Sequence, residues 1–300
     1  MNIDQLNIEY GITGQLKFVI GNGGFPFILI SNRSATALIS VYAAQVLSFR
    51  PEECEDLLFL SQKSYYDEGK AIRGGIPVCW PWFGPDPMDL NRPNHGFVRN
   101  GLWEVFATEA TTDLETKVKL RFVETFQSKS YWQQPFTLDL SVSVGNTLTL
   151  ELVTRNTGDQ KLSITQAFHA YLKVGNINQV QILGLESTDY IDNLDNGVKK
   201  HQMGAVTVLE EVERIYINVK NGLIIDDSNF NRQIRITSTS NKTVVVWNPW
   251  TSKSAKMPDL EMDDFQHFIC VETGNVVTDI VEIPPGNEYS LLTNFKISRV

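Results

Sequence analysis

Between Phe136 and Leu152 the chain alternates apolar and polar residues across a single reversal. In "FTLDLSVSV" one face carries Phe136, Leu138, Leu140, Val142 and Val144. A two-residue Gly145-Asn146 turn follows, and "TLTLELVTRN" continues with Leu148, Leu150 and Leu152. Successive side chains of a strand point to opposite faces, so a period of two buries one face of a sheet. Two such runs across a Gly-Asn pair predict a β-hairpin. In "TKVKLRFVE" Val118, Leu120 and Phe122 alternate with Lys117, Lys119 and Arg121. Similar runs lie at Leu16–Ile20, Phe27–Ser31, Leu38–Tyr42, Gln233–Ser238, Thr243–Trp247 and Tyr289–Ile297. "EIPPGNEYSLL" reads as strand, Pro-Gly turn, strand. No long amphipathic helix appears; the best short candidate is Met257–Phe265. Many antiparallel strands with few helices predict an all-β fold, a large antiparallel β-sandwich or a barrel. No linker, low-complexity tract or internal repeat divides the 300 residues, so positions 1–300 read as one domain.

The acidic balance, 35 Asp and Glu against 26 Lys and Arg, argues against nucleic acid as a partner. Cys54, Cys79 and Cys270 are odd in number and far apart. They suggest neither a disulfide framework nor a metal site, and they suit a reducing cytoplasm. The start "MNIDQLNIEYG" lacks the basic and apolar regions of a signal peptide, and no run reaches the roughly 20 apolar residues of a membrane span. A chain of this length buries about three quarters of its unfolded surface. It can hold a full core alone, so a monomer is expected.

Two segments have neither period. "KAIRGGIPVCWPWFGPDP" (70–87) and "NHGFVRN" (94–100) place Arg73 and Arg99 among Gly, Pro and aromatic residues. Shaped loops of this kind commonly serve a site, and a guanidinium suits bidentate recognition of phosphate or carboxylate. Surface ion pairs are the alternative for both arginines. Trp80, Trp82 and Phe83 could stack on a sugar ring or anchor the loop in the core, the latter being the expectation for Trp80 and Phe83. In "SITQAFHAYLKVG" the face holding His169 also carries Thr165, Ala167, Tyr171 and Lys173, while the other face is apolar. His169 therefore lines a cavity or simply faces solvent. In "HFICVETGN" both faces are mostly apolar. Glu272 is then either a buried carboxylate that needs a partner or a function, or a strand-end residue reaching water before Gly274. His267 reads as structural. Asp192, in "YIDN", reads by itself as a turn residue, and "WNPWTSKSAKMPDL" could line the same cavity.

In chain order, "RGGIPVCWPWFGP", "NHGFVRN", "FHAYLKVG", "YIDN", "WNPWTSKSAKMPDL" and "FICVETGN" resemble the hexose-6-phosphate mutarotase branch of the aldose 1-epimerase superfamily. The likeness covers nearly the whole chain and implies a β-supersandwich. It implies His169 as general acid and Glu272 as general base, and Arg73 and Arg99 as the phosphate-holding pair. It implies that Asp192 binds the sugar, while Asn94 and His95 position substrate. Asn94 stands where relatives often carry Gln, and Trp82 where they often carry smaller residues, which implies a narrower pocket.

The implied reaction opens a cyclic hemiacetal, rotates about C1–C2 and closes on the other face. A carboxylate and a protonated imidazole on opposite sides of the ring perform the two proton transfers. It requires no metal and no cofactor. The expected partner is a sugar phosphate, without nucleic acid or membrane. Two other readings stand beside it: an epimerase for unphosphorylated aldoses, and a non-catalytic carbohydrate-binding protein on the same scaffold.

Overall fold

The computed structural model describes residues 2–88, 90–220 and 222–300. Two eight-stranded antiparallel sheets dominate it. The first runs in the order Val198–His201, Asp189–Asp192, Val212–Ile217, Thr243–Asn248, Phe268–Asn275, Gln166–Phe168, Val78–Cys79, with Tyr171–Lys173 also paired to Phe268–Asn275. The second runs Val180–Leu183, Leu223–Asp227, Arg232–Thr239, Glu288–Arg299, Leu148–Asn156, Phe136–Val144, Glu115–Phe122, Trp103–Thr112. A four-stranded sheet from Leu16–Ile20 to Gln45–Pro51 and a small pair, Leu162–Ile164 with Val281–Ile283, complete the architecture.

The alternating faces make one core between the large sheets. Tyr216, Val244, Val246, Ile269 and Val271 of the first meet Leu138, Leu140, Leu150, Leu152, Ile236 and Phe295 of the second in a single buried cluster. Two hydrogen bonds cross this interior, Trp80 Nε1 to Thr154 Oγ1 at 3.0 Å and Thr273 to Thr293 at 2.6 Å. Because the period is two, the residues between these apolar ones face away from the core. On the first sheet that outer face holds Ile215, Val245, Trp247, Cys270 and Glu272, in register across three strands.

The predicted hairpin forms, but Val144 pairs with Leu148, so three residues, Gly145 to Thr147, close it. "EIPPGNEYSLL" is strand, turn, strand, yet its strands do not pair with each other. Val281–Ile283 pairs with Leu162–Ile164, whereas the long strand Glu288–Arg299 is satisfied on both edges, by Leu148–Asn156 and Arg232–Thr239. Met257–Phe265 is a series of turns leading to a 3-10 turn at Asp264–His267. An N-terminal helix, Ile3–Tyr10, is capped by the Asn2 side chain and buries Leu6. Among the described residues no helix is long and apolar enough to cross a membrane.

The loop Asn94–Gly101 returns to the first sheet by a parallel bridge between Gly96 and Trp80. Gly96 has φ +75°, and a Cβ there would lie 1.8 Å from the Trp80 carbonyl oxygen. Gly286 has nearly the same φ, +76°, but no atom within 4 Å of its would-be Cβ. Left-handed strain costs about 1–3 kcal/mol, and overpacking adds about 1–3 kcal/mol. Gly286→Ala is expected to cost about 1 kcal/mol, near the low end of strain alone. Gly96→Ala should lose about 3 kcal/mol or more from both effects. Urea melts of the two variants check this, equal losses being the contrary result.

Candidate active site

Phe168 pairs with Thr273 and Tyr171 with Cys270, so the register sets His169 directly across from Glu272. On the other side the His169 N–H donates to the Pro77 carbonyl at 2.9 Å, extending the pairing of Gln166–Phe168 with Val78–Cys79. The two side chains meet on the outer face, His169 Nε2 lying 3.3 Å from Glu272 Oε1. The pair stands side by side on adjacent strands, not on opposite sides of a cavity. His169 keeps 7% of its surface and Glu272 1%, which makes the imidazole the part nearer solvent. The exposed-strand reading of His169 and the water-reaching reading of Glu272 both give way to burial.

Neither side chain is fully satisfied. His169 Nδ1 and Glu272 Oε2 are buried without a hydrogen-bond partner among the described residues. An unpaired buried polar atom costs free energy, so such atoms mark places where a fold serves something other than its own stability. Burial holds the imidazole well below its usual range, and the neighbouring His95, Arg99 and Arg73 reinforce this. Burial raises the Glu272 carboxyl well above its usual range; Glu213 adds to the rise and Arg99 opposes it. Two titratable groups are thus driven toward their neutral forms in one place, a pattern typical of functional sites.

Both loop arginines reach this place. Arg73 donates to Asp259 Oδ2 through Nε at 3.0 Å and to the Tyr171 hydroxyl at 2.7 Å. Burial works against its charge, but Tyr171 and Asp259 outweigh it and strengthen the guanidinium. Arg99 donates to the Asn94 carbonyl at 3.0 Å, while its Nε is sealed from solvent without a partner among the described residues. Of the two guanidinium groups only Arg73 is paired with a carboxylate, Asp259, among the described residues, in a chain of net charge -9.

His95 adopts φ +61°. Its Nδ1 accepts from the Gly84 N–H at 3.3 Å, which places a ring proton on Nε2. Its ring meets His169 edge to face at 5.5 Å. Burial, then Arg99 and Arg73, lower it to about 3, so it is a neutral donor. Asn94 is exposed at the same loop and contributes the carbonyl that holds Arg99.

The structure does not bring Asp192 to this face. Asp192 pairs with Arg214, and Arg214 with Val246, whose side chain belongs to the interior cluster. Its carboxylate binds Lys200 at 2.8 Å and caps Leu194; burial pushes it upward, but these contacts hold it below its usual range. Glu213, one position before Arg214, faces the site instead. It pairs across from Trp247 and binds Lys253 at 2.8 Å. Its signal in "EEVERIYINV" was the alternation, which sets Glu213 on the same face as Ile215. The segment "WNPWTSKSAKMPDL" does line the site, through Trp247, Lys253 and Asp259.

Trp80 and Trp82 are core residues, Trp82 held by a bond to the Pro93 carbonyl and covered by Arg92 at 4.2 Å. Trp82 therefore fills the loop's base rather than narrowing the pocket. Phe83 packs on the edge of His95. The aromatic walls beside His169 are Tyr171, stacked on it at 4.9 Å, and Trp247 at 5.9 Å. Among the described residues one group could hold a metal ion, His169, Cys270 and Glu272.

Residues 26–296 match the family model described as aldose 1-epimerase. A protein of Cenchrus ciliaris, provisionally named a glucose-6-phosphate 1-epimerase, is 33% identical over 87% of this chain and 81% of its own length. A protein of Escherichia coli with the same provisional name is 32% identical over 82% of each chain. A crystal structure from Salmonella typhimurium, provisionally described as a mutarotase, superposes with a TM-score of 0.90 at 27% identity and covers 99% of both chains.

Two outcomes follow from the buried charges. The unfolded chain binds a proton on His95 below its ordinary value of about 6.5, whereas the folded chain does so only near 3. This contribution to stability is therefore complete above about pH 6.5 and is lost as pH falls toward 3. His95→Gln should flatten that part of the stability-against-pH curve relative to wild type; parallel curves would contradict it. Glu272 is raised in the folded state, so its ionised form opposes folding near neutral pH. Glu272→Gln should raise stability at pH 7 by on the order of 1 kcal/mol, measured by urea denaturation.

Proposed function

Because the chain belongs to the aldose 1-epimerase family, we propose that it interconverts the α and β anomers of a hexose 6-phosphate, with D-glucose 6-phosphate as its main substrate. The family makes it an isomerase of the epimerase and mutarotase kind; the phosphate is the finer step. One observation carries that step: Arg99, whose buried Nε has no partner among the described residues, stands with Arg73 beside the His169–Glu272 pair. A neutral sugar has no use for two such cations. A phosphate dianion uses the donors that neither Asp259 nor Tyr171 occupies.

The side-by-side placement of acid and base suits the chemistry. The two oxygens that exchange protons, the ring oxygen and the anomeric hydroxyl, are carried by one carbon. Two catalytic atoms 3.3 Å apart can address both at once. In the ionised state of the pair, which burial disfavours and substrate must draw on, the Glu272 carboxylate takes the hydroxyl proton while the His169 imidazolium gives one to the ring oxygen. The C1–ring-oxygen bond breaks and an aldehyde forms. After rotation about C1–C2 the roles reverse, and the ring closes on the opposite face. Protons balance within the pair, and no electron leaves the substrate. Such positioned transfers supply about 10²–10⁴-fold each.

Substrate charge also answers the low basicity of His169. Arg73 and Arg99 oppose a proton on the imidazole. A dianion seated on them offsets that part of the opposition, although burial and His95 still act against the proton, so protonating the imidazole costs less when substrate is bound. The phosphate, though unreacted, orients the ring and lowers the barrier. Tyr171 and Trp247 supply the apolar walls, and His95 a fixed donor.

Exchange NMR between the anomeric signals of glucose 6-phosphate tests this reading. Wild type should exceed the spontaneous rate, and His169→Ala or Glu272→Gln should each lose about 10²–10⁴-fold. A hydrogen bond to a charged group is worth about 1.5–3 kcal/mol. Arg99→Ala should therefore weaken kcat/KM for glucose 6-phosphate about 10–100-fold and leave any rate on free glucose unchanged. An equal loss on both sugars would remove the phosphate assignment.

A further inference from the structure

Cys270 has no part in the proton transfers described above, yet it lies on the same face of the same strand as Glu272, two positions away. It pairs across from Trp247 on one side and Tyr171 on the other. One ligand atom each from His169, Cys270 and Glu272 lies within 4.8 Å of the other two, and all three residues are buried. We propose that these three side chains form a site for a thiophilic divalent cation, Zn2+ or Cd2+, which binds where the substrate's anomeric centre would sit and so inhibits turnover.

The geometry fits. Zinc bonds to nitrogen and oxygen of about 2.0–2.2 Å in a tetrahedral shell imply ligand-to-ligand edges of about 3.4 Å. His169 Nε2 and Glu272 Oε1 are already 3.3 Å apart. The thiol needs a shift on the order of 1 Å or less, because its edges to a nitrogen or oxygen are slightly longer. Three protein ligands leave the fourth position open, the arrangement of a zinc site that exchanges its last ligand. Glu272 Oε2 has no protein partner among the described residues and is free to accept the cation or a water on it.

The chemistry fits as well. An imidazole, a thiol and a carboxylate select zinc and cadmium over magnesium and calcium, which prefer all-oxygen shells. On binding, the Cys270 S–H bond and the O–H bond of the protonated Glu272 carboxyl both break, their protons go to solvent, and S–metal and O–metal bonds replace them; nothing is oxidised. Thiolate and carboxylate then carry two negative charges that offset the dication, so the nearby Arg73 and Arg99 do not meet a net positive centre. Cys79, also buried beside Glu272, is not among the three.

The test is direct binding, so it stands apart from whether the sugar assignment holds. Cadmium is titrated into the full chain carrying Cys54→Ser, which removes the one cysteine that is not buried. Binding is read by thiolate-to-cadmium charge-transfer absorption and by calorimetry. One equivalent should bind with a charge-transfer band. Cys270→Ser should abolish the band and weaken binding at least 10-fold while retaining metal-free anomer exchange, and His169→Ala should weaken it similarly. Cys79→Ser should change neither quantity. Glucose 6-phosphate should compete with the metal in the parent protein. No band, a band that survives Cys270→Ser, or loss with Cys79→Ser alone would overturn the site.

Discussion

A buried imidazole–carboxyl pair that no sheet would keep for its own stability organises this molecule. His169 and Glu272 face each other across two antiparallel strands, 3.3 Å apart and nearly closed to water. Each leaves a buried polar atom unpartnered. Replacing such a pair with apolar residues is often neutral or stabilising. Its persistence is understood through what the two groups do together, and the neighbouring loops make sense as support for it. Gly96 lets the Asn94–Gly101 loop touch the Trp80 carbonyl. Gly74 and Gly75, next to Arg73, pack against neighbouring backbone, where a Cβ on them would meet the Phe59 and Val46 carbonyls at 2.4 and 2.3 Å. Both glycines have positive φ. The arginines are thereby delivered to the face that carries the pair.

The sandwich makes this possible by separating two tasks. The inner face of the first sheet is committed to the core it shares with the second sheet. Its outer face, given the opposite side chains by the same alternation, is free to hold polar groups under the loops. The strands fix His169 and Glu272, and the loops bring Arg73 and Arg99.

The strand pattern, the all-β class and the outward face of His169 were legible because alternation reports directly on burial. So was the placement of Arg73 and Arg99 in shaped loops, through the company of Gly, Pro and aromatic residues. What local pattern could not supply was pairing across long separations. "EIPPGNEYSLL" looked like a self-paired hairpin, but both strands found partners more than a hundred positions away. The side-by-side placement of His169 and Glu272 is likewise a property of register between distant strands. Asp192 looked like a site residue only through resemblance; the alternation of its own strand turns it from the site and leaves that face to Glu213. Trp82 illustrates the same limit, since an aromatic in a shaped loop can face the core as readily as the pocket.

The central claim is that His169 and Glu272 act as one unit on one carbon. A double-mutant cycle in anomer exchange of glucose 6-phosphate tests it most directly, comparing His169→Ala, Glu272→Gln and the double variant. Groups that work as a unit are strongly non-additive. The double variant should be no slower than the slower single variant, within a few-fold. Losses that multiply in the double variant, or single variants that exchange at the wild-type rate, would contradict the account.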